Sequence, residues 1–534
     1  MASTKHRQKH AKSSSKSDPS AGGDVLIINT KDNGVLDATP PERVREIARQ
    51  IAESDRVVIH IHGGLVKKKD GIEKAQLLSP YYKAKGLLSV FPVWESGLFE
   101  QIIKKPAGIL EDPLFQSLFV TLGTYVGTKL QCGDISRARK GQKRFLEDQL
   151  KEALAQARKS KENPAIPEPM AEVIPKVFPS EASEDEQKKL GDELAADPDF
   201  RSILARIAAR VAAESSGKPG RVSAQPGMML SKEIKAEILE DSRSPEKSRN
   251  GTRRTIIHVV KIFVRIMIRY RKGTDHGFWC TIVEEYLREL HIAALGQHIW
   301  GNMKNDTAAT FGEPTGEPRG GQLLLASLAE AIAARVNANR PLPQVSLVGH
   351  SAGAIWALHF LQHVADLQVT GKMPREFRVH RVVFLAPACT DDLLAEKISQ
   401  PAITSIIDGF RMYALSDELE SGYWEVPLLY PCSLLYAISG LLEPSVDQAI
   451  TGMQRYVTRE KIYHSQSEVA VRNFLKPANA SVWALASDGN GLNCDATTHG
   501  AFTHIPKPPY SDSKRPAENE EVLTMQSVVY FLLN

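Results

Sequence analysis

Short runs rich in Val and Ile punctuate this chain, and the stretches between them carry apolar residues at steps of three and four. "GDVLIINT", "DRVVIHIHGG" and "LLSVFPVWES" near the N-terminus predict strands, as do "QVSLVG", "RVHRVVFLAPA", "GFRMYALS" and "SVWALAS" toward the C-terminus. "TPPERVREIARQIAES", "AGAIWALHFLQHVADL", "DDLLAEKISQ" and "EVLTMQSVVYFLLN" predict helices, the first opened by a Thr-Pro-Pro start. Strands alternating with helices predict an α/β chain whose mostly parallel sheet is covered by helices.

The pattern changes from residue 137 to residue 290. "KGQKRFLEDQLKEALAQARKSKE" and "EDEQKKLGDELAADPDFRSILARIAARVAAE" read as charged helices, separated by a Pro-rich stretch and followed by a polar segment from Gly217 to Gly251. We take this region as a helical, partly flexible insertion. It divides the chain into a basic, Ser-rich tail (1–22), an N-terminal part of the core (23–136), the insertion (137–290) and a C-terminal part of the core (291–534). The tail lacks the apolar centre of a secretory signal and is read as disordered.

Within the insertion, "RRTIIHVVKIFVRIMIRYRK" places Arg254, His258, Lys261, Arg265, Arg269 and Lys272 at steps of three or four, a basic stripe on an otherwise apolar helix. Two readings follow. The segment is a core element of a cap that shows its stripe to water, or it is an interfacial helix that sinks its apolar face into an anionic lipid surface.

Charge and cysteine content narrow the setting. Over 534 residues the formal net charge is only +4, which predicts no specific nucleic-acid partner. The five cysteines are scattered and form no C-x-x-C pair, so a reduced, cytoplasmic setting is expected. No stretch reaches the roughly 20 apolar residues of a membrane span, and peripheral contact with an anionic membrane is the most that is expected of lipid.

The candidate chemistry lies in "QVSLVGHSAGAIWALHF", where a strand becomes a helix with no loop between. G-x-S-x-G at such a junction is a nucleophile elbow: small residues let backbones pass closely while Ser351 is held on a strained turn. On these residues the chain resembles the α/β-hydrolase superfamily, serine esterase or lipase-like, carrying a helical cap or insertion between the oxyanion-side strands and the nucleophile strand.

The resemblance implies further roles. His62-Gly63-Gly64-Leu65 ends an early strand as an oxyanion loop does, so backbone N–H groups of Gly63, Gly64 or Leu65, together with Ala352, would bind a tetrahedral oxyanion. The superfamily's triad order of serine, acid, histidine is met by Ser351, Asp417 after "YALS" and His499 in "CDATTHG". Asp391 and Asp392 offer the acid one strand earlier, and His504 competes with His499. His60 with His62, and His359 with His363, form no convincing metal set, so neither a metal nor an organic cofactor is expected. The implied activity is hydrolysis of a carboxylic ester or lipid through an acyl-enzyme on Ser351. The alternatives are a serine peptidase or amidase on the same fold, and an inactive hydrolase-like scaffold. Acyl length, head group and oligomeric state are not encoded in these motifs.

Overall fold

A computed structural model of the chain describes residues 25–64, 67–94, isolated positions between 120 and 196, 261–289 save 263, 267 and 271, 292–421 save 315, 430–487 save 431 and 478–479, 491–508 and 523–534. The N-terminal tail and, apart from isolated positions, the charged helices of the insertion lie outside the described residues.

All the predicted strands form. They are β1 (Leu26–Thr30), β2 (Arg56–Ile61), β3 (Leu88–Trp94), β4 (Gln344–His350), β5 (Val379–Leu385), β6 (Phe410–Ala414) and β7 (Ser481–Trp483). They make one 7-stranded sheet in the order β1-β3-β2-β4-β5-β6-β7, and every pairing is parallel. The central strands are the most apolar. Val57, Val58, Ile59 and Ile61 of β2, with Val345, Leu347 and Val348 of β4, have no exposed surface, as a strand covered on both faces requires. Their register runs from Arg56 opposite Gln344 to Ile61 opposite Gly349.

The helices that matter here are α1 (Pro41–Glu53), α2 (Lys68–Ala84), α3 (Phe278–Glu289), α4 (Ile292–Ala309), α5 (Gly320–Asn337) and α6 (Gly353–Val369). Pro41 opens α1, where its missing N–H costs nothing and its fixed φ suits a helix. Val44, Ile47, Ala48 and Ile51 then form one buried stripe against α5, whose Leu324, Leu328 and Ile332 are also fully buried. Each such Val, Leu or Ile contributes about 1.5–3 kcal/mol of burial.

Connectivity creates a crevice. From β2 the chain crosses through α2 to β3 on one side, and after the insertion it returns as β4 on the other side of β2. Neighbouring parallel strands whose connections leave in opposite directions open a gap at their C-terminal ends, where open α/β sheets bind ligands. The motifs "HGG" and "GHSAG" both stand at that gap.

Beside the sheet lies a second layer, built from the helical residues 261–272, from α3 and from residues 430–463. Two positions of the basic stripe are engaged here within the protein. Arg269 is buried and pairs with Glu284 (2.6 Å) and Glu285 (3.1 Å) of α3, while Arg265 pairs with Glu285 (3.3 Å) and Glu289. These two cations face protein carboxylates. The signal missed in the sequence is the run "EEYLRE", which supplies acids at the matching spacing. Of the other stripe positions, Lys261 and Lys272 are exposed, and Arg254 and His258 lie outside the described residues. No described helix is long and apolar enough to cross a membrane.

The expectation of reduced thiols is corrected for one pair. Cys280 on α3 is disulfide-bonded to Cys432, 152 residues away in the chain, while Cys389 and Cys494 are free and buried. Folding alone brings the pair together, so spacing along the sequence held no trace of it.

Candidate functional site

Ser351 follows the last residue of β4 and precedes α6, and its φ of 54° lies in the left-handed region. A non-glycine residue there is strained by about 1–3 kcal/mol and is held only where its surroundings determine it. Those surroundings are explicit. The Ser351 N–H donates to Leu385 C=O at 2.9 Å, and its C=O accepts from Ala354 and Ala388, each at 3.1 Å. The flanking glycines are required by close approach. A Cβ on Gly349 would come within 2.7 Å of Gly353 O, and one on Gly353 within 2.5 Å of Ile61 O. The elbow is thus packed directly against the end of β2.

The loop after β2 meets it from the other side. A Cβ on Gly63 would touch Ser351 Cβ at 3.2 Å; one on Gly64 would reach Ala352 Cβ and Met303 Cε, each at 2.8 Å. Met303 of α4 therefore roofs this loop. Among the described residues, the N–H groups of Gly63, Gly64 and Ala352 have no acceptor. All three stand close to Ser351. Leu65 lies outside the described residues.

His62 stacks on Trp94 with ring centroids 4.2 Å apart. Its Nε2 accepts from the Trp94 N–H at 3.3 Å and its Nδ1 lies 2.7 Å from Gly63 O, so the proton sits on Nδ1. His62 is a brace for the loop. His60, one strand position back, is braced by the Tyr82 hydroxyl at 2.8 Å.

His499 arrives from the loop after β7. Its backbone C=O accepts from His350 Nε2 at 2.9 Å, and the two rings lie 5.2 Å apart, which places His499 beside the elbow. The ring is buried, and neither of its nitrogens has a hydrogen-bond partner. Burial, and then the charge of Lys74, holds it down at about 4, so it is neutral through ordinary pH. His504 is exposed and turned to solvent.

The acid is placed differently from the triad expectation. Asp417 begins a short helix, Asp417–Ser421, after β6. Its carboxylate accepts from the Tyr436 hydroxyl at 2.6 Å and from Arg459 at 3.0 Å, and it does not meet His499. Asp391 is no substitute. It is buried, accepts from Thr451 at 2.8 Å, and is pushed up by burial to about 7. Asp392 accepts from Gln448 at 2.9 Å. The structure therefore brings together Ser351, His499, Gly63, Gly64 and Ala352, and leaves every proposed acid outside the group.

Comparison of the chain with protein-family models, with curated proteins and with solved structures finds no match. The site stands on its own geometry.

One group that the sequence did not single out is Lys74 of α2. Gly71, one turn earlier, packs on His62, and Tyr82, two turns later, bonds His60. Lys74 lies between them on the same helix face.

Proposed function

We propose that the chain is a serine hydrolase of the α/β-hydrolase type, acting on carboxylic esters through an acyl-enzyme on Ser351. The observation that carries this reading is the positive-φ serine at a β4-to-α6 elbow, beside backbone N–H groups that have no acceptor among the described residues. A strained serine with free donors around it has no structural purpose of its own, but it suits a tetrahedral intermediate.

In this reading His499 takes the proton of Ser351 as the hydroxyl attacks the ester carbonyl. Its ring nitrogens are unengaged, so a lone pair is available for that proton. The N–H groups of Gly64 and Ala352, with Gly63 adjacent, hold the oxyanion as it forms. The protonated imidazole then gives its proton to the leaving alcohol. Water activated by the same ring hydrolyses the acyl-enzyme. Asp417, held by Tyr436 and Arg459, takes no part in this proton transfer.

The test is labelling with a fluorophosphonate probe alongside hydrolysis of a neutral 4-nitrophenyl ester. Wild type labels and turns over, and Ser351→Ala does neither. Labelling retained by Ser351→Ala would overturn the assignment.

A further inference from the structure

The crevice carries a charge that the hydrolytic reading leaves unused. Lys74 projects from the α2 face that packs on β2 and β3: a Cβ on Gly71 would lie 3.3 Å from the His62 ring, and Ala75, Leu78 and Tyr82 on the same face are buried. From there its charge acts on His60, His62, His350 and His499, that is, on β2, on β4 and on the loop after β7. Those elements converge on Ser351. Lys74 thus stands on the helix between the residues that pack on His62 and bond His60, beside the loop that meets Ser351.

Among the described residues no carboxylate pairs with Lys74, and burial lowers its proton affinity. Lys68 and Lys69 of the same helix are each paired with an acid. A partly buried, unpaired ammonium is costly, and a stable fold has no reason to keep one unless something compensates it. Lys74 is neither fully buried nor exposed, so an entering molecule can reach it. The site's own acids cannot supply the compensation, because Asp417, Asp391 and Asp392 are engaged elsewhere.

We propose that Lys74 is a specificity-determining residue that receives a negatively charged group of the substrate, so that the esters this site prefers carry a carboxylate or phosphate close to the scissile bond. The proposal rests on the serine-hydrolase reading above and names the substrate class for it. The anion supplies the carboxylate or phosphate partner that no described residue gives Lys74. Neutral esters of the same length lack that contact.

The experiment compares kcat/KM for matched pairs in the full chain: 4-nitrophenyl hemiglutarate against 4-nitrophenyl valerate, and 4-acetoxyphenyl phosphate against phenyl acetate. The first pair carries a carboxylate on the acyl side and the second a phosphate on the alcohol side, so the arms also tell which group is received. Wild type prefers the anionic member of at least one pair by about tenfold or more, as a charge-assisted contact out of bulk water provides. Lys74→Met lowers that ratio at least tenfold, and Lys74→Arg restores part of it. An unchanged ratio in Lys74→Met, or no anionic preference in wild type, overturns the proposal. Failure of the hydrolase reading looks different: no ester is cleaved and no probe labels Ser351. In that event calorimetric titration of glutarate and inorganic phosphate into wild type and Lys74→Met decides the anion site by itself. Binding lost in the variant supports it, and equal or absent binding rejects it. Should Lys74→Met fail to fold, Lys74→Gln takes its place.

Discussion

Two buried histidines divide the molecule. In the second layer, His276 bonds Glu284 at 2.8 Å through Nδ1 and Asp447 at 2.9 Å through Nε2. Around it, the Tyr430 hydroxyl donates to Glu284, Tyr456 and Tyr463 donate to Asp447 at 2.7 and 2.9 Å, and Arg455 reaches the Tyr463 hydroxyl at 2.6 Å. At the crevice, His499 is just as enclosed, yet its nitrogens bond nothing. Burial alone thus says little about role. What separates the two is whether the imidazole itself is satisfied within the chain: both nitrogens of His276 are bonded and fix its place, whereas both nitrogens of His499 are left open.

The contrast can be broken most directly by removing one member of each set. Ser351→Ala should leave the melting temperature near wild type and cost ester turnover on the order of 10⁴ or more. His499→Ala should behave in the same way, as a loss of rate without a loss of fold. His276→Ala should do the reverse. It takes one partner from each of two buried carboxylates and leaves a cavity, and should cost about 3–5 kcal/mol, read as a lowered denaturation midpoint in urea. If His276→Ala unfolded at the same midpoint as wild type, the network would not be the structural element described here.

Acid should find the crevice next. Burial holds His60 at about 3 and His62 and His499 at about 4, while the unfolded chain protonates them near the ordinary imidazole value of 6.5. The unfolded state therefore binds more protons from pH 6.5 down to about 4, and stability falls as pH falls through that window. Each group costs about 1.4 kcal/mol per pH unit there. Urea midpoints measured from pH 8 to pH 4.5 check this; a flat profile would contradict it.

Smaller still is the effect at Gly440. A Cβ there would come within 2.6 Å of Glu284 Oε2, so Gly440→Ala should push the carboxylate off His276 and cost about 1–3 kcal/mol of stability with little change in turnover per folded molecule. Smallest should be Asp417→Asn. With its carboxylate on Tyr436 and Arg459 instead of the His499 ring, turnover should drop less than about tenfold. A loss on the order of 10⁴ would show that Asp417 swings to His499 during reaction.

The strands, the parallel sheet and the elbow were legible because each rests on local pattern: Val and Ile runs, a strand-to-helix junction, and glycines where backbones touch. The meeting of Gly63 and Gly64 with Ser351 and Ala352 was legible for the same reason. The acid was not. Proximity of Asp417 to the end of β6 fixes where its Cα stands, but Tyr436 and Arg459, distant in sequence, decide where its carboxylate points. The Cys280–Cys432 bond and the pairing of Arg265 and Arg269 with α3 were likewise hidden, since both depend on how a second layer docks. Lys74 went unread because α2 was not predicted at all. Its apolar face is interrupted by Gly71 and Pro80, which blur the helical period.

The turn at Ser351 has one more consequence. At φ 54° glycine is at ease and serine is not, so replacing the nucleophile with glycine should raise the melting temperature while abolishing chemistry. Threonine should fail differently, because a branched Cβ resists that backbone even though it keeps a hydroxyl. In the proposed hydrolase reading, the position gives up backbone ease to keep an unbranched hydroxyl.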